Sequence, residues 1–529
     1  MGATLGGRGR QCHRDHHHHH HDGDDHDRRC VHRSTSLRAA WSPQPPPANC
    51  RRTPCATWRP YRGPVSQPSP LVGTARHLDS VQRLTRSYGQ LPAGDPIRLA
   101  KHTTNLFRPR GRPQTPGLDV SGLTGVVSLD AAACTADVQG MCTYEDLVDV
   151  TLAHGLMPLV VPQLRTITLG GAVAGLGIES SSFRHGLPHE SVLEMDLLVG
   201  SGQVVTAAPT GEHADLFATF PNSYGALGYA TRLRIELQPV SPQVALRHVS
   251  VPLEGLADTI ATVVETQSCD GWTVDFVDGV VFSPDEAYLT IGRWADTGRS
   301  GSDYTAQDVY YRSIQARTHD VLSTYDYLWR WDTDWFWCSA AFGVQQPLVR
   351  RAWPRRWRRS DVYQRLVALE NRYGVYSALQ HWRGRPERER VVQDVEVPVE
   401  RLAEFLVWFD AEVGMRPVWL CPLRLREPAG AGSARGWPLY PLEPGRTYVN
   451  VGFWGTVPIG PGAAPGDVNR AIEAKVGEVG GHKSLYSDSY YDRAEFDRLY
   501  HLADLSAVQR DYDPQDRLTG LFEKAVHRR

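Results

Sequence analysis

Hydrophobic and polar positions repeat along this chain with two different periods, which predict helices and strands. Apolar residues three and four apart are typical of helices with one buried face. This spacing predicts helices over residues 78–89, 143–155, 215–219, 398–414, 468–480 and 493–503. Alternating apolar residues predict strands over residues 97–100, 117–130, 192–199, 204–207, 231–237, 272–282, 287–292, 418–425 and 448–454. The order of these elements after residue 240 predicts an antiparallel sheet covered by helices.

One segment, Thr166–Gly186, breaks both periods because five glycines fall between Gly170 and Gly186. Tight turns would explain the glycines, since glycine adopts positive φ without steric cost. A second explanation is a surface where bare backbone approaches a flat or charged ligand. Apolar residues interleave with these glycines, whereas turn-rich loops are usually polar, so the composition favours ligand binding.

Two common nucleotide-binding motifs do not fit this segment. A dinucleotide-binding fingerprint has the pattern G-x-G-x-x-G between a strand and a helix, whereas the glycines here have the pattern GG-xxx-G-x-G and no clear helical pattern follows. A P-loop would end in Gly-Lys-Ser or Gly-Lys-Thr, which is missing.

Composition narrows the class of protein. A chain of 529 residues is too long for one core and predicts two or three domains. A net charge of −2 argues against a nucleic-acid-binding protein, which normally carries a basic stripe. The nine cysteines form no Cys-x-x-Cys pair, which favours reduced thiols and a cytoplasmic setting. No stretch approaches the roughly 18 apolar residues that a membrane span requires.

The glycine-rich segment, read with the sequence after it, resembles a known family. The pattern TxGGxxxGxGxESSSxxxG, a hydrophobic strand and a Gly-Ser-Gly turn are similar to the flavin-binding domain of the vanillyl-alcohol-oxidase/PCMH superfamily. The Glu-Ser-Ser-Ser run and the His-Gly pair after it resemble the Δ24-sterol reductase (24-dehydrocholesterol reductase) family. Three later segments support this resemblance, which covers roughly residues 75–529: Val391–Leu402, Arg416–Leu425 and Leu485–Phe496.

The resemblance implies an α+β fold, in which a PCMH-type FAD-binding domain of two α+β subdomains precedes an antiparallel-sheet cap with helices. We place the FAD-binding domain at residues 71–240 and the substrate or cap domain at residues 241–529. Residues 1–70 are rich in His and Pro and cannot bury enough apolar surface to fold, so they are expected to be a disordered extension. Their His/Asp tract could bind a divalent metal, but an expression tag or an upstream start codon explains it more simply.

FAD is the cofactor that the resemblance implies. The residues expected to bind it are Lys101, Thr103, Thr104, Asn105, Thr168, Gly170, Gly171, Gly175, Gly177, Glu179, Ser180, Ser181, Ser182, His185 and Gly228. In the wider superfamily a histidine often bonds covalently to the flavin, and His102 is the corresponding candidate. Its usual Gly-Gly-His-Ser context is missing, which favours non-covalent FAD.

The resemblance also implies an activity, the reduction of a C=C bond in a sterol or other lipid olefin with NADPH as electron donor. An alkene of this kind needs a proton donor, and the candidates are Tyr486, Asp488, Tyr490 and His381, with Glu179 and His185 as alternatives. The aromatic residues of Tyr325–Phe342 form either core or the wall of an apolar pocket. Two other functions stay open, namely an FAD oxidase or dehydrogenase of an alcohol or sugar, and a flavin-free lipid-binding protein.

The segment Arg350–Arg359 mixes arginines with tryptophans. A solvated surface element explains it most simply, and a peripheral membrane contact is the functional alternative because cations and Trp suit a lipid interface. One local cluster in a nearly neutral chain does not support nucleic-acid binding. The expected partner is therefore a small lipid molecule, and the oligomeric state is not predicted.

Overall fold

The computed structural model describes residues 71–101, 107–108, 116–373, 386–426 and 436–527. Its first sheet is antiparallel and contains β1 (Val126–Asp130), β2 (Thr135–Gln139), β3 (Leu156–Pro158), β4 (Val192–Leu198), β5 (Val204–Ala207) and β6 (Tyr229–Pro239). The strand order is β1-β2-β6-β4-β5, and β3 pairs with the far end of β6. The long β6 is therefore the centre of this sheet.

The second sheet is also antiparallel. Its eight strands are β7 (Gln243–Ser250), β10 (Phe276–Ser283), β11 (Glu286–Ala295), β12 (His319–Ser323), β13 (Arg388–Pro398), β14 (Val418–Arg424), β15 (Thr447–Pro458) and β16 (His482–Lys483). They lie in the order β12-β7-β11-β10-β14-β15-β13-β16. The short strands β8 (Ser268–Cys269) and β9 (Trp272–Thr273) form a separate two-stranded sheet.

Helices connect and cover the two sheets. The α-helices are Thr74–Gly89, Tyr144–Leu152, Leu169–Ala174, Ser182–His185, Ala214–Thr219, Leu253–Thr266, Tyr310–Ala316, Thr324–Leu328, Pro347–Ala352, Ser360–Tyr373, Leu402–Glu412, Asp467–Glu478, Arg493–Leu499, Leu502–Tyr512 and Leu521–Ala525. Short 3₁₀ helices cover Pro188–Ser191, Cys338–Phe342, Arg355–Trp357 and Val399–Arg401. None of the helices in the described residues is long and apolar enough to cross a membrane. The mixed helices and antiparallel sheets confirm the α+β fold class.

Each face of the second sheet has a different partner, and this positions the candidate site. On β13 the side chains of Val391, Val395 and Val397 are buried in a hydrophobic core with the helices Leu253–Thr266 and Leu402–Glu412. Because side chains alternate along a strand, the even-numbered residues of β13 point to the opposite face. That face carries polar and aromatic residues, and it belongs to the cavity described below.

Most predicted elements are found, and their caps explain their bounds. The helix Tyr144–Leu152 begins after Thr143, whose side chain accepts a hydrogen bond from the Asp146 amide at 3.2 Å. This is the cap that the sequence predicts. The predicted strand at 97–100 is a single bridge between Leu99 and Leu118. The predicted helix at 493–503 is interrupted at His501, whose φ of 47° is left-handed.

The glycine-rich segment differs most from expectation, because part of it is helical. Residues Leu169–Ala174 form a short helix that begins after Thr168. Glycine is a poor helix former, so no helical pattern is visible in the sequence. The Thr168 hydroxyl accepts a hydrogen bond from the Gly171 amide at 3.2 Å and holds the first turn in place.

Candidate active site

A cavity of about 1580 Å³ is lined both by the glycine-rich segment and by Tyr486, one of the predicted proton donors. The glycine helix, residues 95–101 and the C-terminal residues 516–524 contribute one part of its wall. The second sheet and the loops packed on it contribute the other part, which is rich in aromatic side chains: Phe107, Trp335, Phe336, Trp419, Trp454 and Tyr486. The fold therefore brings the glycine-rich segment and the Tyr486 segment to one space.

Gly170, the first glycine of the helix, packs so closely against the backbone of Gly140 that a side chain does not fit. The Gly170 amide donates to the Gly140 carbonyl at 2.9 Å. A Cβ at Gly170 would lie only 2.6 Å from that carbonyl oxygen, so a larger residue would push the helix off the sheet. Gly170 thus fixes the position of its neighbour on the cavity wall.

The second glycine, Gly171, is exposed and lines the cavity. A Cβ there would meet only the Thr168 hydroxyl at 2.8 Å and the Lys101 ammonium at 3.9 Å. The backbone, a hydroxyl and a cation therefore converge on one part of the cavity wall. This is the composition that binds the phosphate groups of a nucleotide.

Three other predicted glycines have mixed roles. Gly177 and Gly228 line the cavity, but protein neighbours also require them: a Cβ at Gly177 would lie 2.7 Å from Pro162, and one at Gly228 would lie 2.4 Å from the Leu198 carbonyl oxygen. Gly228 also has a left-handed φ of 126°. Gly175 is not among the cavity residues, and its carbonyl accepts a hydrogen bond from the Tyr440 hydroxyl.

A lysine that the sequence analysis missed lies on the same side of the cavity. Lys524 donates to the Tyr224 carbonyl at 3.2 Å. Burial, and secondly the Arg108 guanidinium, lower the pKa of Lys524 to about 7. Lys101, Arg108 and Arg517 also line the cavity. Acidic residues line the cavity as well, but the cations beside Gly171 and Tyr224 can attract an anionic ligand to this side of it.

The Glu-Ser-Ser-Ser run has a different place from the one its sequence suggests. Glu179 and Ser180 are buried and do not line the cavity. The Arg330 guanidinium donates to Glu179 at 2.7 Å and to Asp278 at 2.8 Å. The Ser180 hydroxyl lies 2.6 Å from Glu179 and 2.7 Å from the Tyr327 hydroxyl. These contacts join the glycine-rich segment to the second sheet.

The next residues of the run are also bonded to protein and lie off the cavity wall. The Ser181 hydroxyl donates to the Leu159 carbonyl at 2.8 Å, and the Ser182 hydroxyl accepts from the Glu179 amide at 3.1 Å. Burial lowers the pKa of His185 to about 3, so its imidazole is neutral. These side chains are therefore bonded to protein and are absent from the described cavity wall, and their contact with FAD stays a prediction.

The aromatic stretch 325–342 divides into core and cavity wall. Trp329 and Trp331 are each 1% exposed and belong to the core, as the simpler explanation predicts. Trp335 and Phe336 line the cavity, and Phe336 lies over Trp454 with ring centroids 4.2 Å apart. One part of the stretch is therefore hydrophobic core, and another part is cavity wall.

Of the four proposed proton donors, Tyr486 lines the cavity. Its hydroxyl accepts a hydrogen bond from the Trp454 indole at 3.0 Å and lies close enough to the Asp394 carboxyl for each group to shift the pKa of the other. Burial, and secondly the Asp394 charge, raise the pKa of Tyr486 well above its ordinary value, so its hydroxyl keeps its proton at neutral pH.

Asp488 and Tyr490 are placed away from this wall. The Asp488 carboxylate pairs with Arg390 at 2.7 Å. The Tyr490 amide donates to Glu473 at 3.1 Å, and its ring lies under the Arg470 guanidinium at 5.0 Å. His381, Thr103, Thr104 and Asn105 lie outside the described residues.

Asp394, on β13, is another cavity residue that the sequence analysis missed. Burial raises its pKa to about 6, while hydrogen bonds from Asn450 and Tyr486 act in the opposite direction. A sequence signal existed, because Asp394 and Glu396 alternate with Val395 and Val397 in the second half of this strand. Such alternation places both acids on one face.

Comparison with known proteins places the glycine-rich segment within an FAD binding domain. Residues 72–208 match the family model described as an FAD binding domain. The chain is 25% identical over 416 residues to a Delta(24)-sterol reductase of Homo sapiens, with 76% of each chain covered. It is 24% identical over 352 residues to a Delta(24)-sterol reductase of Arabidopsis thaliana, with 63% of this chain and 60% of that one covered. A cytokinin dehydrogenase 7 of Oryza sativa subsp. japonica is 34% identical over 142 residues, or 26% of this chain and 27% of that one. The chain is accordingly an FAD-binding oxidoreductase that resembles the Δ24-sterol reductases and carries a PCMH-type FAD-binding domain.

Proposed function

We propose that this protein reduces a C=C bond of a sterol or another lipid olefin, with FAD as its cofactor and NADPH as electron donor. The observation that carries the proposal is the single cavity shared by the glycine helix and the aromatic wall with Tyr486. A binding protein without chemistry would not need a phenol and a carboxyl beside each other on that wall. The resemblance to Δ24-sterol reductases supplies the type of reaction.

The residues at the glycine helix fit FAD. Gly171 leaves its backbone open to the cavity, Thr168 and Lys101 flank it, and Lys524 adds a buried cation. We assign these four residues to the phosphate groups of FAD. When bound, FAD supplies the hydride that olefin reduction needs.

The volume and the chemistry of the cavity fit a second, apolar molecule beside FAD. Pockets for one small ligand usually reach about 1,000 Å³, and this cavity of about 1580 Å³ is larger. The side chains of Trp335, Phe336, Trp419 and Trp454 offer the apolar faces that a prenyl or sterol side chain requires. The same π faces stabilise positive charge that develops on an alkene carbon during protonation.

An anaerobic absorption experiment tests the proposal. Purified protein reconstituted with FAD should show the visible flavin band, which should bleach on addition of NADPH and return on addition of a Δ24-unsaturated sterol. A band that bleaches with an alcohol or a sugar, and not with NADPH, would replace the reductase by an oxidase or dehydrogenase. A protein that stays colourless after reconstitution would overturn the assignment of FAD to this cavity and favour a lipid carrier.

A further inference from the structure

Four residues lie side by side across the cavity face of the second sheet. Val280 on β10 pairs with Trp419 on β14, Trp419 pairs with Gly452 on β15, and Gly452 pairs with Asp394 on β13. The row therefore has a gap at Gly452, where a side chain is missing. A Cβ there would lie 2.6 Å from the Asp394 carboxyl oxygen and 2.5 Å from the Trp454 ring. Glycine at this position allows the carboxyl and the indole to approach each other.

Hydrogen bonds fix the groups around this gap. The Asn450 amide donates to one Asp394 carboxyl oxygen at 3.0 Å. The Trp454 indole donates to the Tyr486 hydroxyl oxygen at 3.0 Å. The Asp394 carboxyl lies near the same hydroxyl, and the two groups shift the pKa of one another. Because the indole is a donor only, the phenolic proton must point away from Trp454. Asp394, Trp454 and Tyr486 all line the cavity.

The backbone holds the phenol from the other side. The amide of Phe107 donates to the Tyr486 carbonyl at 2.9 Å, and the Phe107 ring lies edge-on to the phenol with centroids 5.7 Å apart. The amide of Ser484 donates to the Asp394 carbonyl at 3.1 Å, which ties β13 to the segment that carries Tyr486. The carboxyl and the phenol are therefore held in register with one another.

The electrostatic surroundings favour a neutral Asp394. Among the residues that the structure describes, Asp394 has no ion pair with Lys, Arg or His, which would stabilise its charged form. The other titratable groups whose charge acts on the same site are Tyr486, Glu396, Cys421 and Tyr224. Each is neutral or negative, so none favours the carboxylate by its charge. Burial raises the pKa of Asp394 to about 6.

We propose that Asp394 and Tyr486 act as one acid that protonates the substrate carbon. The Tyr486 O–H bond breaks as a C–H bond forms at one alkene carbon, and the Asp394 carboxyl proton then restores the phenol. The other alkene carbon receives a hydride that derives from NADPH, so one proton and one hydride together reduce the C=C bond. Asp394 is left as a carboxylate and regains its proton from water between turnovers.

This inference rests on the proposed function and assigns the proton in that reaction. Tyr486 is the catalytic residue because it would contact the alkene, and Asp394 acts through it. The Trp454 indole has a defined part as well, because its N–H stabilises negative charge on the phenol oxygen after the proton leaves.

The test separates the two halves of the catalytic cycle. Stopped-flow absorption would follow flavin reduction by NADPH and, separately, reoxidation of the reduced enzyme by a Δ24-unsaturated sterol. Tyr486→Phe and Asp394→Asn should leave reduction by NADPH within about twofold and slow reoxidation by roughly 10²- to 10⁴-fold, the range of general acid catalysis. Asp394→Glu should restore part of the rate. Asp410→Asn, at a pair with Arg416 that is partly exposed and is not on the cavity wall, is the matched control and should change neither step.

Two further readouts distinguish an acid from a merely structural residue. Because the carboxyl must be protonated to act, the wild-type reoxidation rate should fall as pH rises above about 6, and this inflection should be missing in Asp394→Asn. Infrared difference spectra between acid and neutral pH should show the carbonyl band of a neutral carboxylic acid that Asp394→Asn loses and Asp410→Asn keeps.

Each half of the test has its own negative result. If Asp394→Asn reoxidises at the wild-type rate with the wild-type pH profile, Asp394 does not supply the proton and this inference is overturned while the reductase stands. If the wild-type enzyme is not reduced by NADPH or not reoxidised by the sterol, the proposed function itself fails.

Discussion

The two halves of the segment Thr166–Gly186 look alike in sequence and differ in what they contact. In the first half, Gly171 and Thr168 line the cavity beside Lys101. In the second half, the side chains of Glu179 and Ser180 are bonded to Arg330 and Tyr327 inside the protein. The same small and polar residue types thus line a cavity in the first half and bond to other protein groups in the second.

The contacts of the second half explain how this segment is held rigid. The second half is anchored by buried ion pairs in which one guanidinium nitrogen of Arg330 meets both Glu179 and Asp278. The Ser180 carbonyl also accepts a hydrogen bond from the Val277 amide at 2.8 Å, which fixes the segment to β10. Rigid support is what a preorganised binding surface requires.

The largest effect is expected from breaking that anchor. Arg330→Met would leave Glu179 and Asp278 buried without a cation, and loss of one partner of a buried pair typically costs about 3–5 kcal/mol in the free energy of unfolding. Chemical denaturation would measure it. Arg355→Met, which removes a pair with Asp303 exposed to solvent, should cost no more than about 1 kcal/mol. Equal losses in the two variants would show that the Arg330 cluster does not anchor the segment.

The second effect should appear in FAD affinity and not in stability. Gly171→Trp would place an indole where the backbone is open to the cavity, and we expect FAD to bind at least about 100-fold more weakly, or about 2.8 kcal/mol. Fluorescence titration with FAD would measure this. Gly477→Trp is the control, because no atom lies within 4 Å of a Cβ at that exposed position. If Gly171→Trp binds FAD with unchanged affinity, the assignment of the flavin to this part of the cavity wall is wrong.

The third effect concerns pH. The pKa of Lys524 is lowered to about 7 by burial, and a bound phosphate group would raise it again. FAD binding would then take up a proton above pH 7, so affinity should fall by up to about tenfold per pH unit above that value. Lys524→Met should bind FAD more weakly below pH 7 and lose this dependence. A wild-type affinity that is flat from pH 6 to 9 would contradict the contact.

The smallest effect is expected from removing one hydroxyl group in each half of the segment. Ser181→Ala removes a buried hydrogen bond to the Leu159 carbonyl and should lower the free energy of unfolding by about 1 kcal/mol without changing FAD affinity. Thr168→Ala removes the helix cap and a hydroxyl on the cavity wall, so it should change both quantities. If Ser181→Ala weakens FAD binding and does not change the free energy of unfolding, the two halves do not differ as the structure indicates.

Local patterns in the sequence were enough to predict several features. The cap of Thr143 on Asp146 and the hairpin of β4 and β5 depend on residues close together in the chain, and both are found. The helix within the glycine-rich segment was missed, because it is stabilised by packing and by the hydrogen bond that the Gly170 amide donates to the Gly140 carbonyl. Local propensity contains neither contribution. The domain boundary near residue 240 stays a prediction.

The sequence by itself determined the α+β class, the flavin segment and the aromatic stretch, because period and composition are local properties of a chain. Only the tertiary structure decided which side chains meet. Asp394 and Tyr486 are far apart in sequence. The Ser484 amide, which donates to the Asp394 carbonyl, and the Trp454 indole, which donates to the Tyr486 hydroxyl, bring their segments together. Lys524 reaches the cavity from the last helix in the same way. Burial then sets their chemistry, since a carboxyl or an ammonium in a closed cavity shifts its pKa toward the neutral form, which no sequence pattern displays.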